Sequence, residues 1–169
     1  FKDGKHIWIN DFDLSYAVNR EIDIIDIKDN FLQAFTKIWF GEAENDGFNR
    51  LVLEANLTWQ ETAMLRAYTK YLRQTGFTFS QNYIEQALIN NAEIAKALVQ
   101  IFVLRFDPQY YGHKNEVDDL IAQIEQALDT VTSLDEDRIL RRLMEVMQAT
   151  LRTNYVQKSA AGTAKSYIS

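Results

Sequence analysis

Three acidic residues and three arginines crowd the stretch Ser133-Leu134-Asp135-Glu136-Asp137-Arg138-Ile139-Leu140-Arg141-Arg142. Side chains of these types could clamp an anion or a nucleic acid, or hold a cation through the acids. Their spacing points to a simpler use. Ser133 and Glu136 stand three apart, the pattern of a capping box in which each side chain satisfies the other's free amide. Asp135 and Asp137 add negative charge where a helix N-terminus favours it. Asp137 reaches Arg141 at i,i+4 and Asp135 reaches Arg138 at i,i+3, exposed pairs worth about 0.2–0.5 kcal/mol each. Ile139, Leu140, Leu143, Met144 and Met147 then supply a buried face. The stretch reads as a helix start, and Arg142, which faces Arg138, is left over as a contact to another domain.

Other chemistry-bearing groups are sparse. The chain has no cysteine, which excludes thiolate metal sites, disulfides and cysteine nucleophiles. The two histidines, His6 and His113, are far apart and lack the closely spaced partners that zinc requires. They read as a strand residue and an exposed loop residue. The glycines at 4, 41, 47, 76, 112 and 162 are isolated, so neither a G-x-G-x-x-G turn nor a phosphate loop is present to cradle a dinucleotide. No elbow motif supports a serine nucleophile. Glu42, Glu44 and Asp46 lie close in sequence, but acid–base work needs a perturbed pair inside a cleft, and Asp118-Asp119 suits the solvated first turn of a helix. The aromatic residues Phe31, Phe35, Trp39, Trp59, Tyr68 and Tyr71 lie at helical spacings and read as packing residues.

One binding arrangement can be drawn. Leu51 to Leu72 fits a helix-turn-helix, with Asn56-Leu57 at the corner and Gln60, Thr62, Arg66, Thr69, Lys70 and Arg73 offered to DNA by the second helix. Any helical hairpin with a capped second helix looks similar. The formal net charge of −6 also weighs against nucleic acid and anionic membranes.

The elements that position these residues are mainly helices. The chain has 169 residues, one proline and six glycines, a scarcity of breakers that favours helix. The 47 % hydrophobic content suits a domain able to bury its own core. His6-Ile7-Trp8-Ile9-Asn10 alternates and is expected as a short strand, the end of a preceding β-containing module or linker over residues 1–20. Ile27, Phe31, Ala34, Phe35 and Ile38 then begin a helical pattern that stops at Gly41. Asp46 can cap a short helix carrying Phe48, Leu51, Val52 and Ala55. Thr58 and Glu61 form a capping box for a helix that buries Met64, Ala67, Tyr68, Tyr71 and Leu72 and ends at Gly76. Ser80 starts another. A helix from about Ala92 to Phe106 is apolar nearly all round and is expected at the centre, stopped by Asp107-Pro108. Val117, Leu120, Ile121, Ile124, Leu128 and Val131 mark the next, and Ser133 opens the last. The expected fold is a mainly α bundle of six to seven helices spanning residues 21–157, preceded by the short strand. Lys158 to Thr163 is linker-like. No apolar run is long enough for a membrane span and no signal peptide is visible, so a cytoplasmic location is expected.

The ordered blocks Gly41-Glu42-Ala43-Glu44-Asn45-Asp46-Gly47-Phe48-Asn49-Arg50-Leu51-Val52-Leu53, Leu65-Arg66-Ala67-Tyr68-Thr69-Lys70-Tyr71-Leu72-Arg73-Gln74-Thr75-Gly76, Phe79-Ser80-Gln81, Arg105-Phe106-Asp107-Pro108, Ala127-Leu128-Asp129, Ser133 to Arg142 and Ala149-Thr150-Leu151-Arg152-Thr153-Asn154-Tyr155 together resemble the large bacterial NAD-specific glutamate dehydrogenases. The similarity runs from about Arg20 to Tyr155. It implies a helical segment between N-terminal ACT-like modules and the catalytic domain. Residues 158–169 would be a linker and the opening of that domain, with Ser166 standing where the family tends to have proline. The whole enzyme would oxidise L-glutamate to 2-oxoglutarate and ammonia with NAD as hydride acceptor. Its catalytic and dinucleotide-binding residues would lie downstream, so no catalytic residue, cofactor or metal is assigned to this chain. Its partners would be other domains or subunits of a homo-oligomer, with neither nucleic acid nor membrane. Trp39, Trp59, Tyr110, Tyr111, Arg141 and Arg142 are the candidate interdomain contacts.

Overall fold

A computed structural model of the chain describes residues 11, 24–110, 112–160, 162, 165 and 168–169. The expected strand at residues 6–10, His6 and Tyr111 lie outside the described residues. Seven α-helices occur among those described. Helix α1 is Ile24–Trp39. A 3₁₀ turn, Gly47–Arg50, leads into the four-residue α2, Leu51–Glu54. Helices α3 (Trp59–Gln74), α4 (Gln81–Asn90), α5 (Ala92–Phe106), α6 (Lys114–Leu128) and α7 (Leu134–Ala149) follow. The mainly α bundle expected from the sequence is the fold observed.

Local chemistry sets these boundaries. The Asp46 carboxylate accepts from the Phe48 amide at 3.2 Å and caps the 3₁₀ turn. Thr58 and Glu61 make the full capping box of α3, with the Glu61 carboxylate 2.7 Å from the Thr58 amide and the Thr58 hydroxyl 3.2 Å from the Glu61 amide. Gly76 has φ +85°, and the Gly76 and Phe77 amides close back on the Arg73 and Leu72 carbonyls. That is a Schellman stop, and a Cβ at this left-handed position would be strained. The Ser80 and Ser133 hydroxyls cap α4 and α7.

At Ser133 the capping box is only half formed. The Glu136 carboxylate turns away from the Ser133 amide and accepts from Asn90 at 2.7 Å and Asn91 at 2.8 Å. Asn90 and Asn91 form the corner where α4 and α5 meet at 97°. Glu136 thus fastens the start of α7 to that corner instead of closing its own helix.

Helix α5 sits at the centre, packed on α4, α6 and α7. Ile94, Ala95, Leu98, Val99, Ile101 and Phe102 on α5 share one core with Leu65 and Leu72 of α3, Ile84 and Leu88 of α4, Ile124 of α6, and Leu140, Leu143 and Met147 of α7. Fully burying each of the Ile, Leu, Val, Phe and Met side chains among these contributes about 1.5–3 kcal/mol. No single described helix is long and apolar enough to cross a membrane.

Three expectations are corrected. Tyr71, expected on the buried face of α3, is 52 % exposed, because no described element covers its side of the helix. Trp39, expected as a packing residue, is 60 % exposed; its ring stacks on Phe35 at 5.7 Å but remains at the end of α1. Arg142 is not unpaired, since its guanidinium donates to Glu145 at 2.8 Å, three residues along α7.

Candidate functional site

The segment that follows α7 folds back across the bundle and joins α3, α5 and α7. The Arg105 guanidinium, on α5, donates to the carbonyls of Met147 and, at 3.1 Å, Thr150. A cation on the last carbonyls of α7 complements the negative end of the helix dipole. The Thr150 hydroxyl donates to the Val146 carbonyl at 2.8 Å. Its single proton is therefore used, so the Tyr68 phenol, 2.8 Å away, is the donor of their mutual bond. Phe102, fully buried, receives the rings of Tyr68 and Tyr155 edge-on, with centroids at 5.9 and 5.0 Å. Further on, the Asn154 amide donates to the Ser169 carbonyl at 3.1 Å, and the Ser169 amide donates to the Asn154 side-chain oxygen at 2.7 Å.

These phenols are suited to holding the join together rather than to proton transfer at neutral pH. Burial pushes both above the usual tyrosine value, and for Tyr155 the charges of Glu61 and Asp107 push the same way. For Tyr68 the Thr150 hydrogen bond and the Arg105 charge oppose the rise without cancelling it.

Beside the join, α3 and α7 enclose an open cleft of about 590 Å³. Its floor is apolar, with Tyr68, Phe102 and Val146, and Arg142, Glu145 and Arg152 stand around it. A second cleft, of about 770 Å³, lies where α1 and the loop after it face α3. There Lys37 pairs with Glu42, Lys70 with Glu44 at 2.5 Å, and Arg66 with Asp46 at 2.6 Å. Each of these cations is matched by an acid of the same chain, so the cleft presents no unmatched cluster to an anion. No grouping of His, Asp and Glu suited to a metal occurs among the described residues.

The five candidate contacts among the described residues do not converge. Trp59 lines the second cleft, with the Lys37 ammonium 5.5 Å from its ring centre. Arg142 lies at the α3–α7 cleft. Tyr110 borders a third cleft with α5 and α6, and its ring meets His113 edge-on at 5.9 Å. Arg141 is held by Asp137 at 2.8 Å and Asp129 at 3.3 Å. Trp39 ends α1. Of the residues of the join, Tyr68 is expected from its chemistry only as a packing residue, and Phe102, Arg105, Thr150 and Tyr155 are not singled out by theirs. The signal for them was that all five fall in or beside blocks of the family resemblance.

Half of the DNA-reading face drawn for α3 is turned inward, while Lys70 and Arg73 remain exposed. Thr62, Arg66 and Thr69 are buried, and Arg66 is spent on Asp46 and Asn49. None of the three can reach a groove.

Comparison with known proteins accounts for these blocks. Residues 43–108 match the family model "Glutamate dehydrogenase, helical motif 3", and residues 123–169 match "Bacterial NAD-glutamate dehydrogenase, catalytic domain". The NAD-specific glutamate dehydrogenase of Halomonas elongata is 45 % identical over 95 % of this chain and 10 % of its own length. The enzyme of that name from Pseudomonas aeruginosa is 43 % identical over 99 % of the chain and 11 % of its own. The one from Mycobacterium tuberculosis is 47 % identical over 74 % of the chain and 8 % of its own.

The chain belongs to the bacterial NAD-specific glutamate dehydrogenase family.

It spans about a tenth of the length of the curated relatives it matches. No solved structure matches it. The two glutamate dehydrogenase matches divide the join between them. Tyr68, Phe102 and Arg105 lie in the helical motif, whereas Thr150, Tyr155 and Ser169 lie in the catalytic-domain match, which begins within α6. Every polar contact described above between α5 and the end of α7 therefore crosses from one module to the other.

Proposed function

We propose that this chain is a non-catalytic helical part of an NAD-dependent glutamate dehydrogenase and that it mounts the catalytic domain on the modules before it. The intact enzyme converts L-glutamate to 2-oxoglutarate and ammonia, with NAD as hydride acceptor bound outside this stretch. The helices up to residue 157 are the mount, and residues 158–169 lead into the catalytic part. The observation that carries this reading is the shared core. Leu140, Leu143 and Met147 of α7, within the catalytic-domain match, are buried against Ile84, Leu88, Ile101 and Phe102 of the helical motif. Close-packed interiors transmit displacement instead of absorbing it. A movement of the helical motif would therefore be handed to the start of the catalytic domain. Its partners are the other domains, and through them the other subunits of a homo-oligomer. Of the five described candidates, Arg142 is the best placed for such a contact.

The test compares the intact enzyme with this chain alone. NADH formation followed by absorbance, with L-glutamate as substrate, is expected for the intact enzyme and not for the chain. Glutamate-dependent NADH formation by the chain alone would sink the reading. Lack of activity in the intact enzyme would remove the parent reaction.

A further inference from the structure

We propose that the α3–α7 cleft is the seat of the polypeptide that follows Ser169 in the intact enzyme, and that this segment presents apolar side chains to the cleft and a carboxylate to Arg152. The proposal rests on the functional reading above and names the partner that the mount holds.

The cleft lies on the seam between the two modules. Tyr68, Tyr71 and Phe102 come from the helical motif, whereas Val146, Ala149 and Arg152 come from the catalytic-domain match. Its volume of about 590 Å³ is enough for several side chains. Tyr71 identifies the missing cover. It stands on the apolar stripe of α3 with Met64, Tyr68 and Leu72, yet it is 52 % exposed. A stripe that runs past what the described elements cover asks for a further apolar surface.

Position and length select the occupant. Ser169 is itself part of the cleft wall, fastened there through both its amide and its carbonyl to Asn154. The next residue of a longer polypeptide would start inside the cleft. The relatives are about ten times as long as the stretch matched here, and the catalytic-domain match runs to the last residue. That 47-residue match contains a single glycine, Gly162, so a glycine-rich phosphate turn must lie elsewhere in the enzyme. The charges add direction. Arg142 is answered by Glu145, whereas exposed Arg152 makes no ion pair with any described residue. An incoming carboxylate would complete that side of the cleft, with a charge-assisted hydrogen bond stronger than a neutral one.

The experiment places a photo-crosslinker in the cleft of the full-length enzyme, as Tyr71→p-benzoylphenylalanine, a change of one exposed aromatic for another. The same residue is placed at Glu93, exposed on α5 outside the cleft, as control. After irradiation, the crosslinked peptides are mapped by mass spectrometry, and glutamate-dependent NADH formation is measured on the same preparation. The expected result is that most adducts of the Tyr71 variant fall within the same subunit on peptides following Ser169, with none of these from the Glu93 variant. Adducts to a second subunit, to a domain preceding this chain, or to no peptide would each overturn the cleft assignment, and with an active enzyme they leave the functional reading standing. An enzyme that forms no NADH before irradiation overturns the functional reading, and the cleft assignment falls with it.

Discussion

The Arg66 guanidinium forks onto the Asp46 carboxylate, with Nε 2.6 Å from Oδ2 and Nη2 2.8 Å from Oδ1. Arg66 is 4 % exposed and also donates to Asn49 at 3.1 Å. The pair spans twenty residues and ties α3 to the 3₁₀ turn, which Asp46 caps as well. Removing one member of a buried pair strands the other charge and costs about 3–5 kcal/mol. Asp46 keeps some solvent contact, so Asp46→Ala is expected near the lower end of that range, at about 3 kcal/mol. Arg66→Met, which keeps the stem and removes the charge, is expected to cost less. Urea unfolding with a two-state fit measures both. A loss below the roughly 1 kcal/mol of a surface pair for Asp46→Ala would mean that the guanidinium finds water in place of its partner.

Glu136 works between helices rather than within one. Hydrogen bonds to a charged group contribute about 1.5–3 kcal/mol, whereas loss of a serine N-cap costs about 1 kcal/mol. Glu136→Ala is therefore expected to destabilise the chain more than Ser133→Ala. Had the capping box been complete, the two substitutions would undo one local motif and cost similar amounts. Double substitution separates the cases: nearly additive losses in urea midpoint follow from Glu136 bonding to Asn90 and Asn91, and strong non-additivity would point back to the box.

The half-buried tyrosines predict an alkaline limit. Tyr68 and Tyr155 have pKa values above the usual tyrosine value near 10. Above pH 10 the unfolded chain loses these protons while the folded chain retains them. The folded state then binds more protons, so stability falls as pH rises. The contribution is fully present below pH 10 and is lost as pH climbs through the folded values. Urea midpoints measured upward from pH 8 are expected to hold to about pH 10 and then drop. Tyr155→Phe is expected to lessen the drop. If Tyr155→Phe leaves the slope unchanged, this phenol is not the group responsible.

Most helix limits were legible in the sequence because they depend on neighbours in the chain. Thr58 with Glu61, Ser80, Asp46 and Gly76 each act within a few residues of themselves, and each acts in the structure as the local pattern implies. The departures occur where a distant residue competes. Glu136 has a local amide available and prefers two asparagines more than forty residues away. The inward turn of Thr62, Arg66 and Thr69 depends on what α3 packs against, which periodicity alone does not decide. The join was the least legible feature, since Tyr68 and Thr150 meet across 82 residues of sequence. Of the five described candidates only Arg142 falls at the cleft beside it, and it pairs with Glu145, three residues on, which the like charge of Arg138 four residues back does not foretell.

Arg105 should control whether the segment after α7 stays in place. Its guanidinium is the cation on the end of that helix, and it reaches there from α5. Arg105→Met keeps much of the stem but removes both charge-assisted bonds and the guanidinium contact with the Phe106 ring, an expected loss of about 1.5–3 kcal/mol. The loss should not be uniform. Thr150 would be freed first, and with it the Tyr68 bond and the edge-on seat of Tyr155 on Phe102. Hydrogen exchange is the measurement that resolves this. Amides of residues 150–155 and Ser169 are expected to lose protection in Arg105→Met, while the amides in the middle of α3 and α5 change only with global stability. Equal loss at all sites would show that the join and the bundle unfold as one unit. The start of the catalytic domain would then be held by the shared core of α7, and Arg105 would matter only for the end of that helix.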